Sequence, residues 1–291
     1  MSRGTHTPAV LALSALLLLP LARSAAEAGG ADSARAMPPG RLLFPVLIAH
    51  HVEARMGAVS LVGEERLRLD IGNAVDLWDA SWESGRHTVA VGAEFFTWTS
   101  LRREKDFHFP VDAVDYLFGV NASWRHAVNG DWTASARFRL SHISAHLADG
   151  SYDKTAARWR DDQLPRVYSR EFFDLVGAVE WTEALRLYLG AQYIYHVDPS
   201  DLGTFGVQAG VEAAWVEGPA DGVTPYVAYD LRTVDMTAVT AAHGAQIGVK
   251  FGTWRGRGVN LFVALYHGVS QHGEYFDRHW SYWGPGFTVD F

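Results

Sequence analysis

From about residue 56 onward the chain alternates apolar and polar residues in stretches of roughly ten, the period at which successive side chains of an extended strand point to opposite faces. Twelve stretches carry this pattern: Met56 to Gly63, Arg66 to Trp78, His87 to Trp98, Val114 to Ala127, Trp132 to His146 and Val167 to Trp181, then Leu185 to Val197, Phe205 to Val216, Thr224 to Thr233, Gly244 to Trp254, Val259 to Val269 and Trp280 to Phe291. In the seventh, Leu185, Leu187, Leu189, Ala191, Tyr193 and Tyr195 share one face, and Arg186, Tyr188, Gly190, Gln192 and His196 share the other. An apolar row backed by a polar row predicts strands with lipid on one side and a wet lumen on the other.

The links between stretches alternate in length. Asn129-Gly130-Asp131, Thr182-Glu183 and Arg255-Gly256-Arg257-Gly258 are short, whereas residues 99–113, 147–166, 234–243 and 270–279 are long and polar. Short turns at one end and long loops at the other, with an even strand number, are the marks of an outer-membrane barrel whose short turns lie in the periplasm. The expectation is therefore an all-β chain, a single antiparallel up-and-down transmembrane barrel of about 12 strands over residues 55–291. The last stretch places Trp283, Phe287, Val289 and Phe291 on one face and ends on an aromatic residue. It resembles the C-terminal insertion signal of outer-membrane proteins, and that resemblance implies the barrel assembly machinery as a partner.

Ahead of the barrel, Arg3 and His6 precede an apolar run from Ala9 to Leu21 and an Ala26-Glu27-Ala28 site, the layout of an export signal over residues 1–28. The run is too short to span a bilayer as a helix. Residues 29–54 differ in character: Pro38, Pro39, Gly40 and Phe44-Pro45 open a short apolar patch, and Pro45 argues against a central strand. A periplasmic extension or partial plug is expected there.

Composition narrows the function classes. With no cysteine there is neither a disulfide framework nor a thiolate metal site. Acidic residues outnumber basic ones, 33 to 25, and Lys105, Lys154 and Lys250 are the lysines, which leaves no basic stripe for nucleic acid. Eleven tryptophans beside a mean hydropathy of -0.05 suit a protein with two differently solvated faces.

One constellation has the residue types for chemistry. His142 and Ser144 lie two apart on the fifth stretch, on the face of Trp132, Ala134, Ala136, Phe138 and Leu140, while Thr133, Ser135, Arg137, Arg139 and Ser141 face the other way. The pair therefore points outward, near the outer-leaflet boundary. A serine hydroxyl becomes a nucleophile when a hydrogen-bonded base takes its proton, and the base in turn needs an orienting group. The sixth stretch offers Glu171, with Ser169 second, on its outward face beside Phe173, Leu175, Val179 and Trp181. Such residues also sit at lipid headgroups without any catalytic role. Two readings thus stand: a barrel that is structural, ligand-binding or a narrow channel, and a lipid-ester hydrolase using His142, Ser144 and Glu171. A soluble periplasmic all-β protein is a third.

Other groups have simpler readings. His50 and His51 with Glu53 alternate sides of an extended chain, which argues against a single metal site. His267, His272 and His279 flank the last long link with Glu274 and Asp277, a cation site or a solvated loop tip. Asp112 with Asp115, and Asp161 with Asp162, are expected to be solvated loop carboxylates. Arg137, Arg139, Arg186 and Asp174 point inward, where narrow barrels are packed with ion pairs.

Several segments resemble an uncharacterised bacterial family of predicted outer-membrane barrels, domain-of-unknown-function family 1207. They are Leu43-Phe44-Pro45 leading to Ile48-Ala49, Asp115-Tyr116 with Gly119 and Trp124-Arg125, Leu140 through His146, Tyr168-Ser169-Arg170-Glu171, Asp198-Pro199-Ser200-Asp201-Leu202, and Gly268 through Asp277-Arg278 to Phe291. Ala145 and Asp149-Gly150 depart from the family pattern. The His-x-Ser pair more locally resembles the active sites of outer membrane phospholipase A and the lipid A 3-O-deacylase. That likeness implies outer-membrane lipids as substrate and calcium as an assisting ion; the barrel pattern itself points to the bacterial outer membrane, and a homodimer through this outward face would favour the enzyme reading by completing a lipid-facing site.

Overall fold

The computed structural model describes residues 33–34 and 42–291, apart from residue 219 and residues 236–238. The expected export signal lies outside the described residues. Each of the twelve alternating stretches is a strand: β1 (Met56–Leu61), β2 (Arg66–Trp82), β3 (His87–Arg102), β4 (Val111–Ala127), β5 (Trp132–Leu147), β6 (Tyr168–Trp181), β7 (Leu185–Asp198), β8 (Phe205–Ala214), β9 (Val223–Asp235), β10 (Val239–Gly252), β11 (Gly258–Val269) and β12 (His279–Asp290). Every neighbouring pair is antiparallel, and β12 closes on β1 in the register Gly286 to Val59 through Val289 to Met56. The result is a transmembrane β-barrel, which meets the demand of lipid that backbone groups be paired within the protein. Among the described residues, no helix is long and apolar enough to cross a membrane.

Side chains sort as the alternation dictates. Phe138, Leu175, Val179, Leu187 and Leu189 are exposed on the outside, whereas Arg137, Arg139, Asp174, Arg186 and Glu212 are buried within. Trp124, Trp132, Trp181 and Trp215 stand exposed at the short-turn end, where an interfacial girdle belongs.

The lumen is filled from both ends. Residues 42–55, which include the described end of the 29–54 region expected as an extension or partial plug, run inside the barrel. The Phe44 ring lies 4.9 Å from the Arg137 guanidinium and 4.3 Å from that of Arg186. Arg137 grips the Glu53 carboxylate with both terminal nitrogens, at 2.9 and 2.5 Å. Arg139 adds longer ion pairs to Asp174 and Glu94, at 3.4 and 3.5 Å. His50 meets Asp230 at 3.4 Å, and the Ile48 amide donates to Glu212 at 2.7 Å. Burying a charge is costly unless it is paired, and these arginines are paired.

At the other end the last long link folds inward, which corrects the expectation of a solvated tip. Gln271, His272, Glu274 and Tyr275 are buried, His272 completely. His272 Nδ1 lies 2.6 Å from Asp115 Oδ2, and the Gly273 amide donates to the other oxygen of Asp115 at 2.7 Å. A Cβ at Gly273 would stand 2.3 Å from the Tyr168 ring, so the segment packs hard against the wall. Asp112 and Asp115 are accordingly buried rather than solvated, Asp112 between Arg66 and Arg102. They belong to strand β4, and a slip in its pairing with β3 at Ser100 and Leu101 lets both be buried despite their odd spacing. Asp115→Ala should free this cap. Losing its charge-assisted hydrogen bonds, worth about 1.5–3 kcal/mol, should speed amide exchange over residues 270–276 on the order of ten- to hundredfold, with the barrel amides unchanged.

Candidate functional site

On the outer wall, β5 and β6 set His142 directly opposite Glu171 and Ser144 directly opposite Ser169. Opposed side chains on one face of such a pair lie about 4.5–5.5 Å apart at Cβ, within reach of a histidine. His142 Nδ1 and Glu171 Oε1 are 2.6 Å apart, and the Ser169 hydroxyl donates to the same oxygen at 3.2 Å. His142 and Glu171 are part-buried, with 27% and 23% of their side chains exposed, so the contact is shielded yet open to a ligand. The Phe118 ring lies 4.8 Å from that of His142 at a tilt of 34°, and Phe138, Phe173 and Tyr195 continue an aromatic patch around the pair.

Height is set by strand geometry. Trp132 marks the short-turn girdle, and His142 lies about ten residues up β5; at ~3.3 Å per residue and a tilt of ~40° that is ~25 Å, the height of an outer-membrane apolar band. The polar cluster therefore sits at the far boundary of the membrane-facing surface.

The alternation of β7 puts His196 on the inward row, and here the structure differs. The pairing of β7 with β6 slips between Ile194 and His196. This bulge turns Tyr195 and His196 outward together, 43% exposed for Tyr195 and 64% for the side chain of His196. One extra residue in a strand reverses the facing of the residues beyond it. His196 Nδ1 consequently bonds the second oxygen of Glu171. The carboxylate is held between two imidazoles and the Ser169 hydroxyl, and no residue in the stretch advertises the slip.

The other sequence candidates lie elsewhere. His50 and Glu53 are buried in the plug and His51 is half-buried beside them, with His50 and Glu53 joined to Asp230 and Arg137. His267 and His279 point outward on β11 and β12, away from His272. Asp161 and Asp277 remain in the outer loops, paired with Arg66 at 3.4 Å and Arg166 at 2.9 Å. Among the described residues, no group of three or more histidine, aspartate or glutamate side chains is arranged to hold a metal.

The family model of proteins of unknown function DUF1207 matches residues 67–291. The chain belongs to the DUF1207 family. Among curated proteins none matches its sequence. Solved structures show the likeness of this DUF1207 barrel to outer-membrane proteins. Outer membrane phospholipase A from Escherichia coli is 12% identical, with a TM-score of 0.51 over 88% of this chain and 94% of that one. The Salmonella typhi outer membrane phospholipase, described as a dimer with bound calcium, is 12% identical with a TM-score of 0.50 over the same shares, 88% and 94%. LpxR from Salmonella typhimurium superposes more weakly, at 12% identity and a TM-score of 0.34 over 78% of this chain and 88% of that one. At such identities the likeness speaks to the fold.

Proposed function

We propose that this DUF1207 barrel is a lipid-ester hydrolase of the bacterial outer membrane, with Ser144 as nucleophile, His142 as general base and Glu171 as the acid that orients it. The observation that carries the reading is the 2.6 Å contact between His142 and Glu171 on the lipid-facing wall, with Ser144 next along the same outward row. With Nδ1 bound to a carboxylate, the neutral imidazole keeps its proton there and offers Nε2 as the base.

In the reaction Ser144 Oγ attacks the acyl carbonyl carbon while His142 Nε2 takes the hydroxyl proton, and Glu171 stabilises the imidazolium. Collapse breaks the ester C–O bond, and His142 returns the proton to the leaving alcohol. Water, activated by the same imidazole, then releases the fatty acid from Ser144. A site on the wall suits a substrate that stays in the bilayer, and the packed lumen directs attention to that outer surface. The terminal strand ending at Phe291 would be read by the barrel assembly machinery, and a second copy apposed at this face would enclose the acyl chain.

Calcium takes six to eight oxygen ligands at about 2.3–2.6 Å. No acidic cluster of the described residues supplies such a set, so no step is assigned to it.

The test is fatty-acid release from phospholipid and from lipopolysaccharide by refolded protein in detergent, with and without calcium. The parent should hydrolyse at least one substrate, and Ser144→Ala should lose that activity by several orders of magnitude. A folded parent that releases nothing from either would end the proposal.

A further inference from the structure

A second polar group lies on the outward face of β9 to β12, away from the strands that carry Ser144. His243 on β10 and His267 on β11 are direct cross-strand partners, and His267 is in turn opposite Ser281 on β12. The two imidazoles are 6.4 Å apart between centroids, and the Tyr229 hydroxyl is 2.7 Å from His243 Nδ1. Together with Val62, Gly63, Leu265 and Trp283 they line a concavity in the wall.

The seam of the barrel explains the concavity. Strand β1 stops at Leu61, and the last backbone pairing across the seam is the bridge from Val62 to Trp283. Beyond it the seam is held by a side chain, the Ser281 amide donating to Glu64 Oε1 at 3.0 Å. Strand β12 thus stands above the β1–β2 turn with a notch beside it. His243, His267 and Ser281 each lie about nine residues from the short-turn end of their strand, which at ~3.3 Å per residue and ~40° of tilt sets them level with the His142 cluster at the headgroup boundary. Below them Leu265 and Trp283 are exposed and apolar.

We infer that this notch binds one phospholipid, its phosphate held by His243, His267 and Ser281 and an acyl chain laid over Leu265 and Trp283. The upper groups are hydrogen-bond donors suited to phosphate oxygens, and the lower ones suit hydrocarbon. The Glu64 carboxylate at the rim favours a headgroup that also carries an ammonium, as in phosphatidylethanolamine, over a purely anionic one. The site shares no residue with the proposed hydrolytic group, so it stands whether or not that reading does.

Native mass spectrometry of the full chain released from detergent, incubated with phosphatidylethanolamine, tests it. The Ser144→Ala background keeps the lipid intact, and heat-modifiable gel mobility checks folding. The parent should retain one phospholipid more than His243→Ala/His267→Ala, with at least tenfold weaker retention in the variant. Diacylglycerol with the same chains should not be retained, nor should glycerophosphoethanolamine, which lacks them. Equal retention by the variant, or diacylglycerol held as well as phospholipid, would overturn the assignment. If the double variant does not fold, Ser281→Ala, which removes one exposed hydroxyl, should show a several-fold loss; no loss there counts against the site equally.

Discussion

Glu171→Ala is expected to lower lipid-ester turnover by about four orders of magnitude while leaving the barrel folded, because orienting acids in serine triads count for roughly 10⁴ in kcat. The carboxylate does two things: it holds His142 in the tautomer whose Nε2 can accept a proton, and it meets the charge that imidazole acquires. Removing it forfeits both. His196→Ala separates the functions. It leaves the Glu171 oxygen that bonds His142 in place and frees the other, so a few-fold loss in kcat is expected, with KM little changed. If Glu171→Ala lost no more than His196→Ala in single-turnover assays, the carboxylate would be a surface ion-pair partner and the triad assignment would fail.

Glu53→Ala should have the largest effect on stability. The glutamate is buried in the plug against the bidentate Arg137 guanidinium, with Arg139 at 3.8 Å. Truncating it takes the bidentate carboxylate from buried Arg137, while Arg139 keeps Asp174 and Glu94, a loss of about 3–5 kcal/mol when a buried pair is broken from one side. The midpoint of urea unfolding in detergent should fall accordingly. Asp277→Ala, which breaks the solvent-exposed pair with Arg166, should stay within about 1 kcal/mol. Similar midpoints for the two variants would mean that the plug ion pairs do not hold the barrel.

The pH dependence has a definite sign. Burial alone would raise the Glu53 pKa, but Arg137 and Arg139 outweigh it and hold the carboxyl well below the ordinary carboxylate range. A depressed pKa gives stability that is present above the unfolded value and lost as pH falls through the folded one. The contribution of this pair should therefore persist through pH 4.5 and fade only in stronger acid, and should be missing from the pH profile of Glu53→Ala.

The legible part of this molecule is the part governed by period two. Alternation locates all twelve strands and sorts Arg137, Arg139, Asp174 and Arg186 inward, because in a barrel each strand residue has one of two environments. The same rule puts His142, Ser144 and Glu171 on one outward surface. The contact between His142 and Glu171 depends on register across a twenty-residue loop, which alternation does not set and the β5–β6 pairing does. His196 is misplaced by alternation because a bulge breaks the parity on which that reading rests. Asp112, Asp115 and His272 look solvated by sequence because they lie near a long polar link. Polarity there reflects hydrogen bonds made inside the mouth of the barrel, where an aspartate, an imidazole and a main-chain amide satisfy one another.

The plug has a consequence for how the molecule comes into being. Its contacts run to β2 and also to β5, β7, β8 and β9, strands made long after it, yet it is joined directly to β1, half of the seam that seals the cylinder. The greasy exterior can meet lipid whenever each hairpin arrives, and Arg139 and Arg186 find carboxylates on the wall itself, but Arg137 lacks its bidentate partner until residues 42–55 are housed. Sealing β1 to β12 with that segment outside would leave the Arg137 guanidinium facing the lumen without the Glu53 carboxylate. An order in which residues 42–55 wait, are enclosed by strands made after them and are locked in by the β12–β1 pairing keeps that charge matched throughout.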